Sequence, residues 1–82
     1  MTITLLPVTS SNVEAVGYDR ATQTLRIVYI RGGTWDYAGV EPGVYERLLR
    51  APSKGRFIAQ SVKPAYPAKR VDAPKLDYGD TT

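Results

Sequence analysis

The sequence predicts an α+β fold, a small antiparallel β-meander of three to four strands with two short helices packed on one face. Two observations carry this prediction. Residues 13–40 contain runs in which apolar and β-branched side chains alternate with polar ones, and turn residues separate these runs. In residues 41–62, apolar side chains recur instead at helical spacing. A chain of 82 residues has room for one domain with one modest core, which we assign to residues 1–71, and we expect residues 72–82 to form a flexible tail.

Two strands are predicted before the central hairpin. The first lies in residues 1–8, where Pro7 makes it an edge strand or ends it. The second covers residues 13–18, and the turn chemistry of residues 19–23 closes it onto the next strand. Gly17 is the expected position of a β-bulge. Strict alternation predicts two faces for this strand: Val13 with Ala15, and Val16 with Tyr18.

The central hairpin, residues 24–40, leaves its register open. Trp35 and Tyr37 are two residues apart and therefore share a face. With a two-residue loop they join the face of Arg26, Val28 and Ile30. With a three-residue loop, residues 31–33, they join Leu25, Ile27 and Tyr29, which leaves Arg26 and Asp36 on the other face. Paired strand aromatics usually pack, so we expect at least one of the two rings in the core.

Two short helices are expected after the hairpin. The first covers residues 41–51, with a proline in its first turn and two arginines near its end, and Pro52 stops it. Ser53 is the predicted N-cap of the second helix, whose apolar side chains lie within residues 57–62. Two prolines within residues 64–71 exclude a helix, so this segment should be extended and pack back on the body.

The composition excludes most catalytic chemistry. The chain has no cysteine and no histidine, which removes thiolate nucleophiles, the usual general base near neutral pH and the commonest metal ligand. Its carboxylates show no metal-ligand spacing. We therefore expect a protein that is not an enzyme and needs no metal or cofactor. No apolar run reaches the length of a membrane helix and residues 1–8 do not resemble a signal peptide, so the expected location is cytoplasmic, without membrane contact.

The basic charge is concentrated in one part of the chain. The net charge is +3, yet residues 46–70 alone carry seven basic side chains and one acidic one. Cations beside flat aromatic faces suit nucleic acid, because phosphates bind the cations and bases stack on the rings. The alternative is an ordinary solvated face. A second open choice concerns Ser53-Lys54-Gly55, which fits either an anion site or a capped helix start. The candidate contacts to nucleic acid or another partner are Trp35, Tyr37, Lys54, Arg56, Tyr66, Lys69 and Arg70.

Several short motifs follow one another in an order that resembles a KTSC domain. The resemblance covers about residues 10–71, and the central Tyr-x-Tyr of that family stands here as Trp35-Asp36-Tyr37. After Tyr66-Pro67 the chain has Ala68, where the family commonly has an aromatic residue. The other matching motifs are Ser10-Ser11-Asn12, Val16-Gly17-Tyr18-Asp19, the segment 22–25, Gly39-Val40, Val44-Tyr45, Leu48-Leu49, Ser53-Lys54-Gly55 and Lys69-Arg70.

The resemblance implies a partner. The family takes its name from the carboxyl-terminal extension of some lysyl-tRNA synthetases, and it also includes small stand-alone proteins of bacteria and phages. RNA binding has been suggested for it, which implies contacts by Trp35, Tyr37, Lys54, Arg56, Lys69 and Arg70. The alternative function is a protein-interaction module that engages a host nucleic-acid machine such as RNA polymerase. A homodimer through the apolar sheet face of Arg26, Val28 and Ile30 is a further alternative.

Overall fold

The computed structural model describes residues 3–71 and contains one five-stranded antiparallel sheet with two short helices. Each strand pairs with the next one along the chain, as in a meander. The α+β prediction is confirmed. The predicted tail, residues 72–82, lies outside the described residues. The strands are β1 (Leu6–Pro7), β2 (Val13–Asp19), β3 (Thr24–Tyr29), β4 (Gly33–Tyr37) and β5 (Ala68–Val71), and the helices are α1 (Pro42–Arg50) and α2 (Lys54–Phe57), which continues as one π-helical turn (Ile58–Val62).

Strand β5 adds to the predicted meander. Residues 64–71 were expected to be extended, and Ala68–Val71 indeed form a strand, but its pairing with β4 was not predicted. The four residues of β5 show no regular alternation of apolar and polar side chains, so the sequence predicts a strand only weakly. The hydrogen-bonding groups of β4 decide that this segment pairs there. As a result the sheet has five strands, where the sequence suggested three or four.

The bulge in β2 occurs at Glu14. Val13 pairs with Tyr29 and Ala15 with Val28, so one extra residue lies on the β2 side. The prediction that Val13 shares a face with Ala15 is therefore wrong, because the extra residue turns Val13 to the other face. The bulge predicted at Gly17 is also wrong. Gly17 pairs regularly, and the absence of a side chain there serves a close approach instead, since a Cβ atom would lie 2.6 Å from the Thr4 carbonyl oxygen.

The central hairpin has a three-residue loop, Ile30 to Gly32, one residue earlier than the predicted one. Ile27 pairs with Trp35, which puts both aromatics of β4 on the face of the β3 residues Leu25, Ile27 and Tyr29. This is the second of the two alternatives. Arg26 and Asp36 face the other side and form a half-buried bidentate ion pair, with distances of 2.7 Å (Nε to Oδ1) and 3.0 Å (Nη2 to Oδ2).

The main core lies between this aromatic-bearing face of the sheet and the helices. Helix α1 contributes Val44 and Leu48, and the π-helical turn contributes Ile58 and Val62. The predicted N-cap is confirmed, because the Ser53 hydroxyl accepts a hydrogen bond of 3.3 Å from the Arg56 backbone N–H. In the part of the chain that the structure describes, neither helix has the length and hydrophobicity required to cross a membrane.

The opposite face of the sheet is covered in part by the N-terminal segment. Leu5 packs with Ala15 and Val28 in a small second cluster, and Ile3 is buried as well. The expectation that Val28 lies on an exposed apolar face is therefore wrong, because Leu5 packs against it and Val28 is fully buried. Ile30, in the hairpin loop, remains 38 % exposed.

Candidate nucleic-acid interface

An open cleft of about 600 Å³ lies on the helix-bearing side of the sheet. Its wall and floor come from the β3–β4 hairpin, from the first residue of β5 and from the chain that follows the π-helical turn. Aromatic and cationic side chains dominate it, and no carboxylate is among the lining residues that the structure describes. The lining comprises Asn12, Tyr29, Arg31, Gly32, Trp35, Tyr37, Lys63, Tyr66 and Ala68.

Two tyrosines form the floor of the cleft. The hydroxyl groups of Tyr29 and Tyr37 are 2.8 Å apart and share a hydrogen bond. The residues are only 7 % and 3 % exposed. Burial, and next the hydrogen bond with Tyr37, raise the pKa of Tyr29 far above its ordinary value. Tyr29 therefore keeps its proton at neutral pH, and the pair adds neutral polar groups to the most buried part of the lining of an aromatic cleft.

Trp35 has a fixed orientation beside this floor. Its indole Nε1–H donates a hydrogen bond of 2.8 Å to the Gly32 carbonyl oxygen in the hairpin loop. The Arg70 guanidinium carbon lies 6.0 Å from the centre of the ring, at the outer limit of a cation–π contact. Arg70 is the cross-strand partner of Trp35, and its side chain also lies against Gly33, where φ is +82° and a Cβ atom would be 3.0 Å from Nη2.

Two further cations belong to the cleft. The Lys63 ammonium group lies 5.3 Å from the centre of the Tyr29 ring, and Arg31 projects from the hairpin loop. Both residues are exposed. Together with Arg70 they surround the aromatic surface with positive charge, which favours an anionic or phosphate-bearing ligand.

The structure gathers only part of the predicted set of contacts. Trp35, Tyr37 and Tyr66 line the cleft, and Arg70 lies over Trp35. Lys69 pairs with Asp36 in the sheet register, so its side chain starts from the opposite face.

Lys54 and Arg56 do not line the cleft. The Lys54 ammonium group donates hydrogen bonds to the carbonyl oxygens of Leu49 (3.0 Å) and Ala51 (2.7 Å), which are left without helical partners at the end of α1. Of the two interpretations of the Ser53 motif, the structure has the capped helix start. Arg56 lies beside a separate shallow depression with Pro52 and Phe57.

Three of the aromatic and cationic residues that line the cleft were not in the predicted set: Tyr29, Arg31 and Lys63. A signal existed for Tyr29, because the three-residue loop already put it on the face of Trp35 and Tyr37. Lys63 belongs to the basic stretch, but its position depends on the path of the chain after Val62, where the Lys63 backbone N–H bonds to the Ile58 carbonyl oxygen across five residues. No periodic pattern of apolar residues in the sequence predicts such a π-helical turn.

A second pair of aromatic rings on the same face has a different environment. Tyr18 of β2 and Tyr45 of α1 stack with their ring centres 5.2 Å apart and an angle of 16° between the planes. The Tyr18 hydroxyl donates a hydrogen bond to the Val40 carbonyl oxygen. We call these two residues the closed pair, because the ring of the helix residue stacks directly on the ring of the strand residue, although both residues are half-buried. Among the described residues, none from α1, α2 or the π-helical turn lines the aromatic cleft.

Comparison with known proteins gives concordant matches. The family model described as KTSC domain matches residues 9–66. A protein of Tsukamurella paurometabola is 47% identical over 62 residues, which cover 76% of this chain and 92% of the relative. The crystal structure of a KTSC domain protein from Yersinia pestis is similar with a TM-score of 0.83 and 30% identity, over 85% of this chain and 99% of that one.

A third relative is much longer. A lysine–tRNA ligase of Nostoc punctiforme is 37% identical over 59 residues. The match covers 72% of this chain but only 10% of the ligase. The similarity therefore concerns one small segment of that enzyme. Within residues 3–71 of this chain, no group of three acidic side chains is close enough together to hold a metal ion.

Proposed function

Because this chain belongs to the KTSC family, in which the same domain occurs alone and as a segment of a lysine–tRNA ligase, we propose that it is an RNA-binding module. The proposed contact surface is the aromatic cleft with the cations around it. RNA binding of this kind needs no catalytic group, since affinity comes from phosphate contacts and ring stacking.

One observation carries the proposal: aromatic rings and exposed cations converge on one open cleft. Trp35 is held by Gly32 and Arg70, so a stacking ligand would not have to immobilise it. Lys63 lines the cleft, Arg70 from another segment lies over Trp35 beside it, and the lining contains no acidic residue among those described. Phosphate groups would therefore meet positive potential wherever they leave the rings.

The ligase relative supports the nature of the partner. Its name describes an enzyme that acts on tRNA, and a domain attached to such an enzyme is well placed to add contacts to the same RNA. In a stand-alone chain the same surface would bind RNA without the catalytic part. This argument rests on the shared domain alone, since the match covers a tenth of the ligase.

The protein-binding alternative has less to support it. Val28, which was to centre an apolar contact or a homodimer on the second sheet face, is fully buried beneath Leu5. The exposed large apolar side chains, Leu6, Ile30 and Leu49, are scattered over different elements, as is normal for a protein surface. A protein partner remains the interpretation to pursue if RNA does not bind.

The test is a salt titration of the affinity for a short labelled single-stranded RNA, measured by fluorescence anisotropy. If phosphates supply the affinity, the logarithm of the association constant should fall linearly with the logarithm of the salt concentration. Replacing one phosphate-binding cation should reduce the slope by about 0.7 for a single strand. Absence of binding at low salt would overturn the proposal.

Neighbouring residues in β5 provide a matched control. Arg70→Ala and Lys69→Ala each remove one positive charge, and the two positions are adjacent but face opposite sides of the sheet. We expect Arg70→Ala to lower the affinity several-fold and to flatten the salt dependence, and Lys69→Ala to do so far less. Equal losses would mean that general charge, and not the cleft, attracts the RNA.

A further inference from the structure

The floor of the cleft indicates which part of an RNA it receives. We infer that the cleft accepts a single unpaired nucleobase, which stacks on Trp35 and directs its polar edge at the Tyr29–Tyr37 hydroxyl pair. The inference rests on the proposed function and deepens it, because it selects unpaired nucleotides over duplex RNA. Four features support it: the polarity of the floor, the fixed ring, the size of the cleft and the position of the cations.

The polarity of the floor favours a heteroaromatic ligand. Two tyrosine hydroxyls carry two protons, and their mutual hydrogen bond of 2.8 Å uses one of them. One O–H donor and several lone pairs remain for a ligand. Both residues are almost completely buried and belong to the lining, so the hydroxyl pair lies beside the cleft and is largely shielded from bulk water. A nucleobase edge, with its alternating donors and acceptors, can bind the remaining O–H donor, whereas an aliphatic side chain would leave that donor without a partner.

The fixed ring and the size of the cleft favour one base over a longer stack. Trp35 is oriented by its bond to Gly32, and Tyr66 contributes a second, half-buried ring from the chain after the π-helical turn. The volume of about 600 Å³ falls within the range of about 300–1,000 Å³ typical of small-molecule sites. A base within a duplex is stacked and paired, so it would have to leave the helix before it could reach the floor.

The cations lie where the backbone of that nucleotide would pass. Lys63 and Arg31 are exposed residues of the lining, whereas Tyr29 and Tyr37 are its almost completely buried residues. A base pointing inward leaves its sugar and phosphates near the opening, beside these side chains. The arrangement therefore matches the polarity of a nucleotide from its base to its phosphate.

Three labelled RNA hairpins with the same stem test the inference. The first hairpin contains a single bulged nucleotide and is made in four versions, one for each base. The second has an abasic nucleotide at the bulged position, and the third is fully paired. By fluorescence anisotropy we expect at least one base-bearing bulge to bind about tenfold more tightly than the abasic and paired hairpins, because stacking of the base is then the main difference.

Removal of single hydroxyl groups tests the role of the floor. Tyr37→Phe keeps the ring, and we expect it to weaken binding of the preferred bulge several-fold and to leave the abasic hairpin unaffected. Tyr18→Phe, the matched change in the closed pair, should affect neither hairpin. If Tyr37→Phe weakened both hairpins equally, the floor would not contact the base.

The outcomes separate this inference from the proposed function. If base-bearing and abasic bulges bind equally while the steep salt dependence persists, the unpaired-base inference is overturned and the RNA-binding proposal stands. If no hairpin binds at low salt and the single-stranded RNA also fails to bind, both are overturned. The first comparison uses the unmodified protein, so it does not depend on the folding of any variant.

Discussion

The closed pair and the aromatic cleft both lie on the helix-bearing side of the sheet and both contain aromatic rings, yet the contacts of these rings differ. Tyr45 of α1 stacks on Tyr18, and the Tyr18 hydroxyl is bonded within the chain. Trp35 and Tyr66 are half-buried, as Tyr18 and Tyr45 are, but they line an open cleft. The two regions therefore differ in what lies against the rings and not in the burial of these four residues: a helix residue stacks on Tyr18, whereas Trp35 borders open space.

The layer formed by α1, α2 and the π-helical turn stops short of the cleft because the chain turns after Val62. Helix α1 is fixed on the sheet by Val44 and Leu48, and the π-helical turn adds Ile58 and Val62 to the core. After Val62 the chain turns, and its next residues form the edge of the cleft instead of a cover. Three changes test this contrast between the two regions, beginning with the largest expected effect.

The first change opens the closed end. Leu48 is a fully buried residue of α1, so Leu48→Ala should leave a cavity and lower the free energy of unfolding by about 2–5 kcal/mol. Leu49→Ala is the matched control, because Leu49 is 39 % exposed and should cost about 0.5 kcal/mol or less. Urea denaturation measures both. Similar losses for the two variants would show that α1 does not close this end of the sheet.

The second change compares one hydroxyl in each region. Tyr37→Phe removes one partner of a hydrogen bond between two almost completely buried residues and should cost about 1–3 kcal/mol of stability, because the Tyr29 hydroxyl loses that partner. Tyr18→Phe should cost about 0.5–1.5 kcal/mol, because Tyr18 is half-buried and water can replace its hydroxyl at the Val40 carbonyl oxygen. Thermal and urea unfolding would measure the difference. A larger loss for Tyr18→Phe would contradict the contrast.

The third change is one of pH. Burial and the bond to Tyr37 raise the pKa of Tyr29 above the ordinary value of 10.0, so the folded state favours the protonated phenol. The resulting stability is complete below pH 10 and is lost as the pH rises above it towards the raised pKa of the folded state. We expect a loss of about 1 kcal/mol from this group between pH 9 and pH 10.5, measured by urea unfolding at each pH.

Phenylalanine variants assign this alkaline loss. Tyr29→Phe should reduce the loss of stability at high pH more than Tyr45→Phe does. Burial alone raises the pKa of Tyr45, whereas burial and the hydrogen bond to Tyr37 both raise the pKa of Tyr29. The reverse order would mean that the closed pair, and not the floor of the cleft, governs stability at high pH.

Local chemistry made part of this structure readable from the sequence. Pro42 and Pro52 bound the first helix, and Ser53 caps the second, because each acts through its own backbone geometry or through a donor three residues away. The two-residue period of Trp35 and Tyr37 likewise put both rings on one face before the register was known. Of the candidate site, Trp35, Tyr37, Tyr66 and Arg70 were predicted and lie in or beside the cleft.

Contacts between distant segments decided the rest. The bulge at Glu14 and the approach of Ile3 to Gly17 depend on how separate strands and the N-terminal segment fit together. Lys54 was a candidate phosphate ligand from its neighbours in sequence, yet the unpaired carbonyl oxygens at the end of α1 hold its ammonium group.

Most of the elements, their order and the basic and aromatic character of the chain could thus be predicted from the sequence, because they follow from residues a few positions apart. Three features depend on contacts between distant segments: β5 pairs with β4, Lys63 reaches Tyr29, and the helical layer stops before the cleft. The physical reason is that backbone geometry acts locally, whereas burial and hydrogen bonding are decided by whichever distant groups compete best for the same surface.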